Sequence, residues 1–105
     1  MIPPGTLDVL ILRTLASGAS LHGFEIAEAI RQGSEDVLRV EEGSLYPSLH
    51  RMLVKGWLKA EWGKTSENHR ARYYRLTASG TKQLDRELQE YWTVAKAIAR
   101  ILSPA

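Results

Sequence analysis

The chain has 105 residues, 44% of them hydrophobic and 25% charged, the composition of one ordinary globular domain with a single core and much remaining surface. It contains no cysteine, which excludes disulfides, thiol catalysis and cysteine-ligated metal and is compatible with a reducing cytoplasm. The net charge is only +2, but seven cations (Arg51, Lys55, Lys59, Lys64, Arg70, Arg72, Arg75) lie between His50 and Arg75 against Glu61 and Glu67, a local excess of five. Clustered rather than average charge is the electrostatic footprint of a nucleic-acid binder. The longest apolar run is the four residues Val9 to Leu12, and the amino terminus lacks the basic stretch and long apolar core of a secretory signal. Neither a membrane span nor export is therefore expected, and the expected location is cytoplasmic.

In chain order, Thr6 can cap a first helix over Leu7 to Ala16, stopped by Ser17-Gly18. That helix is apolar around most of its circumference apart from Asp8, Arg13 and Thr14, so it needs cover on more than one side. Two readings fit: a single central core helix, or a helix that meets its own core and also a second subunit through Leu7, Leu10 and Ile11. A second helix is expected from Leu21 to Gln32, with Ser20 as cap and Gly33 at its end. Leu21, Phe24, Ile26, Ala27 and Ile30 form its apolar stripe, with Glu25, Glu28 and Arg31 toward water. A third starts near Ser44, where Pro47 is tolerated because the first turn needs no intrahelical amide donor. Leu45, Leu49, Met52 and Leu53 are its buried stripe, leaving Tyr46, Ser48, His50, Arg51 and Lys55 on the other faces.

After Gly56 the period changes from helical to alternating. In Trp57 to Trp62, Leu58, Ala60 and Trp62 share one face, and in Arg72 to Leu76, Tyr74 and Leu76 do so. The loop Gly63 to His69 joins them into a β-hairpin carrying Lys64, His69, Arg70 and Arg72. For an isolated hairpin such charges often do no more than keep an edge solvated. A last helix, capped by Thr77, runs to about Leu102, about 40 Å at 1.5 Å per residue. Its apolar positions Leu84, Leu88, Tyr91, Ala95, Ile98 and Leu102 follow a four-three repeat, the seam of a coiled coil. The seam favours a homodimer, although a helix folded back on its own domain could use the same stripe. Trp92, Ala99 and Ile101 widen it.

The fold class expected is mainly α with a small β-hairpin: a winged helix-turn-helix over residues 1–76 and a carboxy-terminal dimerisation helix over 77–105, forming one compact unit. In such a fold the third helix enters the DNA major groove and the hairpin wing reaches backbone or an adjacent groove. The candidate DNA-binding residues are Ser44, Tyr46, Pro47, His50, Arg51 and Lys55 on the third helix, Lys64, His69, Arg70 and Arg72 on the wing, and His22. Arg51 and Lys55 are candidates for bases or phosphates, Ser44 and Tyr46 for phosphate or base-edge hydrogen bonds, and the wing cations for phosphate or a narrow minor groove.

Four blocks carry a resemblance. Gly5-Thr-Leu-Asp-Val-Leu-Ile-Leu12, His22-Gly-Phe-Glu-Ile-Ala27, Gly43-Ser-Leu-Tyr-Pro-Ser-Leu-His-Arg-Met-Leu53 and Arg72-Tyr-Tyr-Arg-Leu-Thr-Ala-Ser-Gly80 closely resemble the PadR family of bacterial transcriptional regulators. The resemblance covers nearly the whole chain and is to the short members, which end after one long helix. It implies a homodimer that binds a double-stranded operator and usually represses. The family's Leu-Tyr-Pro motif matches Leu45, Tyr46 and Pro47, and its basic wing matches Asn68 to Arg72, interrupted by Ala71.

Trp92 has two readings: simple packing in a dimer, the weightier one, or one wall of an effector pocket that stacks a small flat aromatic ligand, as the resemblance to drug-responsive short members suggests. His22, His50 and His69 lie in three different elements without ligand-like spacing, so no metal or other cofactor is expected. No grouping resembles a catalytic site, and Glu41-Glu42 suits a helix amino end. A winged-helix protein-interaction module without specific DNA binding is the alternative from another class, and an enzyme is a distant third.

Overall fold

A computed structural model describes residues 2–3 and 5–104; Met1, Pro4 and Ala105, which fall within the two expected segments, lie outside the described residues. Four helices and three strands follow one another as α1 (Leu7–Thr14), β1 (Leu21–His22), α2 (Gly23–Gly33), α3 (Glu42–Val54), β2 (Leu58–Lys64), β3 (Arg70–Leu76) and α4 (Ala78–Leu102). The fold is the winged helix expected from the pattern, mainly α with a small antiparallel sheet.

Ile11, Leu12 and Leu15 of the first segment lie at the centre of the core with Ile26, Ile30, Leu45, Leu49, Met52, Leu58, Tyr74 and Leu84. Ile11 is fully enclosed at 0% exposure and Leu84 nearly so at 5%. Their expected place between two copies is therefore corrected: both belong to the core of their own domain. Leu7, Leu10 and Leu88 are only partly buried against that core, so each keeps an outer edge.

Three boundaries differ from expectation. Leu21 and His22 form a two-residue strand rather than the first turn of a helix, pairing with Tyr74 and Tyr73 so that the sheet order is β1-β3-β2. His22, not Ser20, then caps α2: its Nδ1 accepts from the Glu25 amide at 3.4 Å while the Glu25 carboxylate accepts from the His22 amide at 3.1 Å. This is a capping box with histidine in place of the usual Ser or Thr. The third helix begins a turn early, at Glu42 after Glu41, so Ser44 lies inside it and is not its cap. Two acids at the amino end suit the positive end of the helix dipole even without a side-chain cap bond.

Thr77 caps α4 as expected, its hydroxyl accepting from the Gly80 amide at 3.0 Å and donating to the Gly56 carbonyl at 2.6 Å. That pair of bonds ties the long helix to the turn between α3 and the wing. Gly80 sits so close to the Trp57 carbonyl that an added Cβ would lie 2.1 Å from its oxygen. Only the first part of α4 rests on the domain; beyond Leu88, Tyr91, Trp92, Val94, Ile98, Ile101 and Leu102 are exposed.

Candidate nucleic-acid interface

Leu45, Ser48, Leu49 and Met52 are the buried face of α3. Helical spacing puts Gly43, Pro47, His50 and Val54 opposite, where all four are exposed. On one flank the Tyr46 ring lies against α2: a Cβ built on Gly23 would fall 2.7 Å from its hydroxyl and 2.9 Å from a ring carbon. Tyr46 is thus a wedge that sets the approach of α3 to α2 while keeping part of its ring exposed.

The other flank holds the two cations of the helix, and neither is unengaged. The Arg51 guanidinium donates to both carboxylate oxygens of Asp8 on α1. Lys55 places its ammonium 4.7 Å from the centroid of the Trp57 ring. Farther off, Arg31 donates to Glu28 and Asp36, and Arg39 to Asp36, a network that braces the loop between α2 and α3. Hydrogen bonds from Arg31 hold the Glu28 carboxyl below its ordinary pKa, and those from Arg39 and then Arg31 do the same for Asp36.

The wing behaves differently. Its register pairs Leu58 with Leu76, Ala60 with Tyr74, Trp62 with Arg72 and Lys64 with Arg70, so one face runs from core at the base to cations at the tip. Trp62 does share the face of Leu58 and Ala60, but β2 has left the core by then and the indole is 60% exposed. The Arg70 guanidinium carbon lies 4.3 Å from its centroid and that of Arg72 5.8 Å. Burial raises the Tyr74 pKa, opposed by the Arg72 charge, so its phenol stays neutral. The tip is closed by the Asn68 amide donating to the Thr65 carbonyl at 2.9 Å, with Asn68 in the left-handed region that asparagine tolerates.

Between wing and helices runs a cleft of about 390 Å³ lined by His22, Phe24, Tyr46, Trp62, Arg70 and Arg72, among others. The fold thus gathers three of the expected wing and helix residues, Tyr46, Arg70 and Arg72, with His22 at its floor. Ser44, Pro47, His50, Lys64 and His69 are exposed but outside it. Two residues escaped the sequence reading. Phe24, expected in the apolar stripe of α2, is 69% exposed, and Trp62 was read only as a strand residue. A signal existed for Trp62: its alternation continues past the last residue that a core this small can cover.

Residues 11–86 match the model of the transcriptional regulator PadR-like family. The chain belongs to that family. Membership implies DNA-binding regulation. This PadR-like chain is 31% identical over 94 residues to an uncharacterized protein of Lysinibacillus sphaericus, spanning 90% of this chain and 84% of that one. It is similar to a transcriptional regulator from Clostridium thermocellum (TM-score 0.85, 27% identity, 94% and 95% of the two chains). It is also similar to a PadR family transcription regulator from hypervirulent Clostridium difficile (TM-score 0.78, 32% identity, 94% and 100%). These solved relatives are regulators, not enzymes.

Away from the wing, the PadR-like chain has a second recess, about 340 Å³, between α1 and α4. Val9, Leu10, Arg13, Leu88, Tyr91 and Trp92 are among its lining residues. Tyr91 and Trp92 meet edge to face, their centroids 5.1 Å apart. Among the described residues, no cluster of three His, Asp or Glu side chains could hold a metal ion, and no helix is long and apolar enough to cross a membrane.

Proposed function

We propose that the chain is a sequence-specific transcriptional repressor that acts in the cytoplasm as a homodimer on a palindromic operator, with residues 1–76 as the DNA-binding part and 77–105 as the dimerisation helix of one compact unit. One observation carries the DNA-binding half of this reading: Arg70 and Arg72 make no hydrogen bond to a carboxylate among the described residues and border the same cleft as Tyr46. Pro47 and His50 on the outward face of α3 are the groups placed to meet base edges, with Ser44, Lys64, His69 and the exposed part of His22 at the backbone around them. The sign of regulation rests on the resemblance to a family that usually represses.

The homodimer is supported by the distal half of α4. An apolar stretch of that size standing off a monomer is uncommon and suits an interface. Tyr91, Trp92, Ala95, Ile98 and Leu102 form its seam, with the outer edges of Leu7, Leu10 and Leu88 beside them. The α1–α4 recess has the size of a small-ligand site, and a flat aromatic effector stacked on Trp92 is the ligand it would take. Trp92 serves dimer packing in the absence of such a ligand.

Mobility shift with the protein's own upstream DNA tests the function, and binding no tighter than to a random duplex would sink the specific-regulator reading. Sedimentation tests the dimer. Ile98→Glu lies outside the core and should give a folded monomer, with DNA affinity lower by about two orders of magnitude through lost bivalency. A wild-type monomer at micromolar concentration would defeat the dimer.

A further inference from the structure

Trp62 has no core to fill. It stands mid-strand with 60% of its surface open, and the side chains it meets include two cations, Arg72 directly across the ladder and Arg70 one diagonal step toward the tip. A guanidinium resting on an aromatic face uses its planar π surface and keeps its five edge donors available. Every other arginine for which a side-chain partner is recorded gives those donors to a carboxylate: Arg31 to Glu28 and Asp36, Arg39 to Asp36, Arg51 to Asp8. The indole restrains Arg70 and Arg72 without occupying the groups that would meet phosphate oxygens. An unsupported arginine loses rotamer freedom on binding, and a stacked one has already lost much of it.

We propose that Trp62 is a positioning residue for DNA binding, a shelf that holds the Arg70 and Arg72 guanidiniums with their donors turned to the phosphate backbone beside the groove entered by α3. This rests on the DNA-binding function proposed above and adds to it the residue that orders the wing's contacts. The shelf acts through the arginines and does not itself read bases. Its loss therefore weakens binding while leaving the number of neutralised phosphates, and hence the salt dependence, unchanged.

The test is a double-mutant cycle on the full-length protein, binding a labelled duplex from its own upstream region and a scrambled duplex of equal length across a salt series. Trp62→Ala should bind both duplexes about tenfold more weakly with an unaltered salt slope. Trp62→Leu, which keeps apolar area on the strand but removes the π face, should match Trp62→Ala and covers the case in which alanine unfolds the hairpin. Trp62→Phe should recover most of the affinity. In an Arg70→Ala/Arg72→Ala background, Trp62→Leu should cost nothing further, because no guanidinium remains to be held. Wild-type affinity for Trp62→Leu, or the same loss in both backgrounds, overturns the proposal. If instead the wild-type protein binds neither duplex and Arg70→Ala/Arg72→Ala changes nothing, it is the DNA-binding function that fails.

Discussion

Arg51 on α3 and Arg70 on the wing belong to the same basic stretch and both reach solvent, yet their guanidiniums are engaged in opposite ways. Arg51 lies against Asp8, forty-three residues away in the chain, with its donors on a carboxylate. Arg70 rests on an indole that takes none of them. A charge count gives the two equal weight, whereas an operator would meet one cation already neutralised and one still open. The lesson is that local charge marks a face of the molecule, while partners decide which charges on it can bind.

The sharpest way to break this contrast is to remove the open cations. Arg70→Ala/Arg72→Ala should lower DNA affinity by about two orders of magnitude, since a hydrogen bond from a charged group contributes about 1.5–3 kcal/mol. It should also shallow the salt slope by about two, as expected for two lost phosphate contacts. A slope unchanged in fluorescence anisotropy would show that these arginines touch no phosphate.

The wedge beside them comes next. Gly23→Ala puts a methyl into the Tyr46 ring and should cost about 1–3 kcal/mol by overpacking, read by urea denaturation. Tyr46→Ala in the same chain should relieve part of that cost; strictly additive losses would mean that the two residues do not press on one another.

Smaller effects are expected at Arg51. Arg51→Ala should cost only about 0.2–1 kcal/mol of stability, as for partly exposed ion pairs, and leave the salt slope of DNA binding unchanged. Asp8→Asn tests the reverse: it releases the guanidinium and should steepen the slope by about one if Arg51 can then reach a phosphate. A large loss of binding on Arg51→Ala would put this cation among the readers after all.

The smallest effect is at Glu87, beneath the same corner of the molecule. Burial raises its pKa above the ordinary 4.5, helped by Asp8 and Glu90 and opposed by a hydrogen bond from Gln83 and by Lys55. A carboxyl whose folded pKa is raised stabilises the fold below its unfolded pKa, and that contribution is lost as pH rises through the folded value. Glu87→Gln should therefore raise the melting temperature slightly at neutral pH and have no such effect below about pH 4, near its unfolded pKa. A gain equal at both pH values would point to packing, not ionisation.

Much of this was legible in residue order. The helical stripe Leu45, Leu49, Met52, the switch to alternation at Leu58 and the Thr77 cap each rest on neighbours within a few residues, and local stereochemistry carries them through to the fold. The β1 strand was not legible, because two residues show no period and Leu21-His22 becomes a strand only when Tyr73 and Tyr74 arrive beside it. Nor were the roles of Arg51 and Trp62. The first depends on a carboxylate brought over from α1 by packing of Ile11 and Leu12, and the second on where along β2 the core ends.

Sequence by itself determined the winged-helix order of elements, the basic stretch from Arg51 to Arg75, and the long final helix with its apolar seam, since these follow from periodicity, capping and the spacing of charge. Tertiary structure alone decided which cations stay open, that Tyr46 wedges against Gly23, and that Ile11 and Leu84 turn inward while Ile98 and Leu102 stay exposed. Burial and ion pairing are properties of what lies across the fold, and residues distant in the chain meet only once the core has closed.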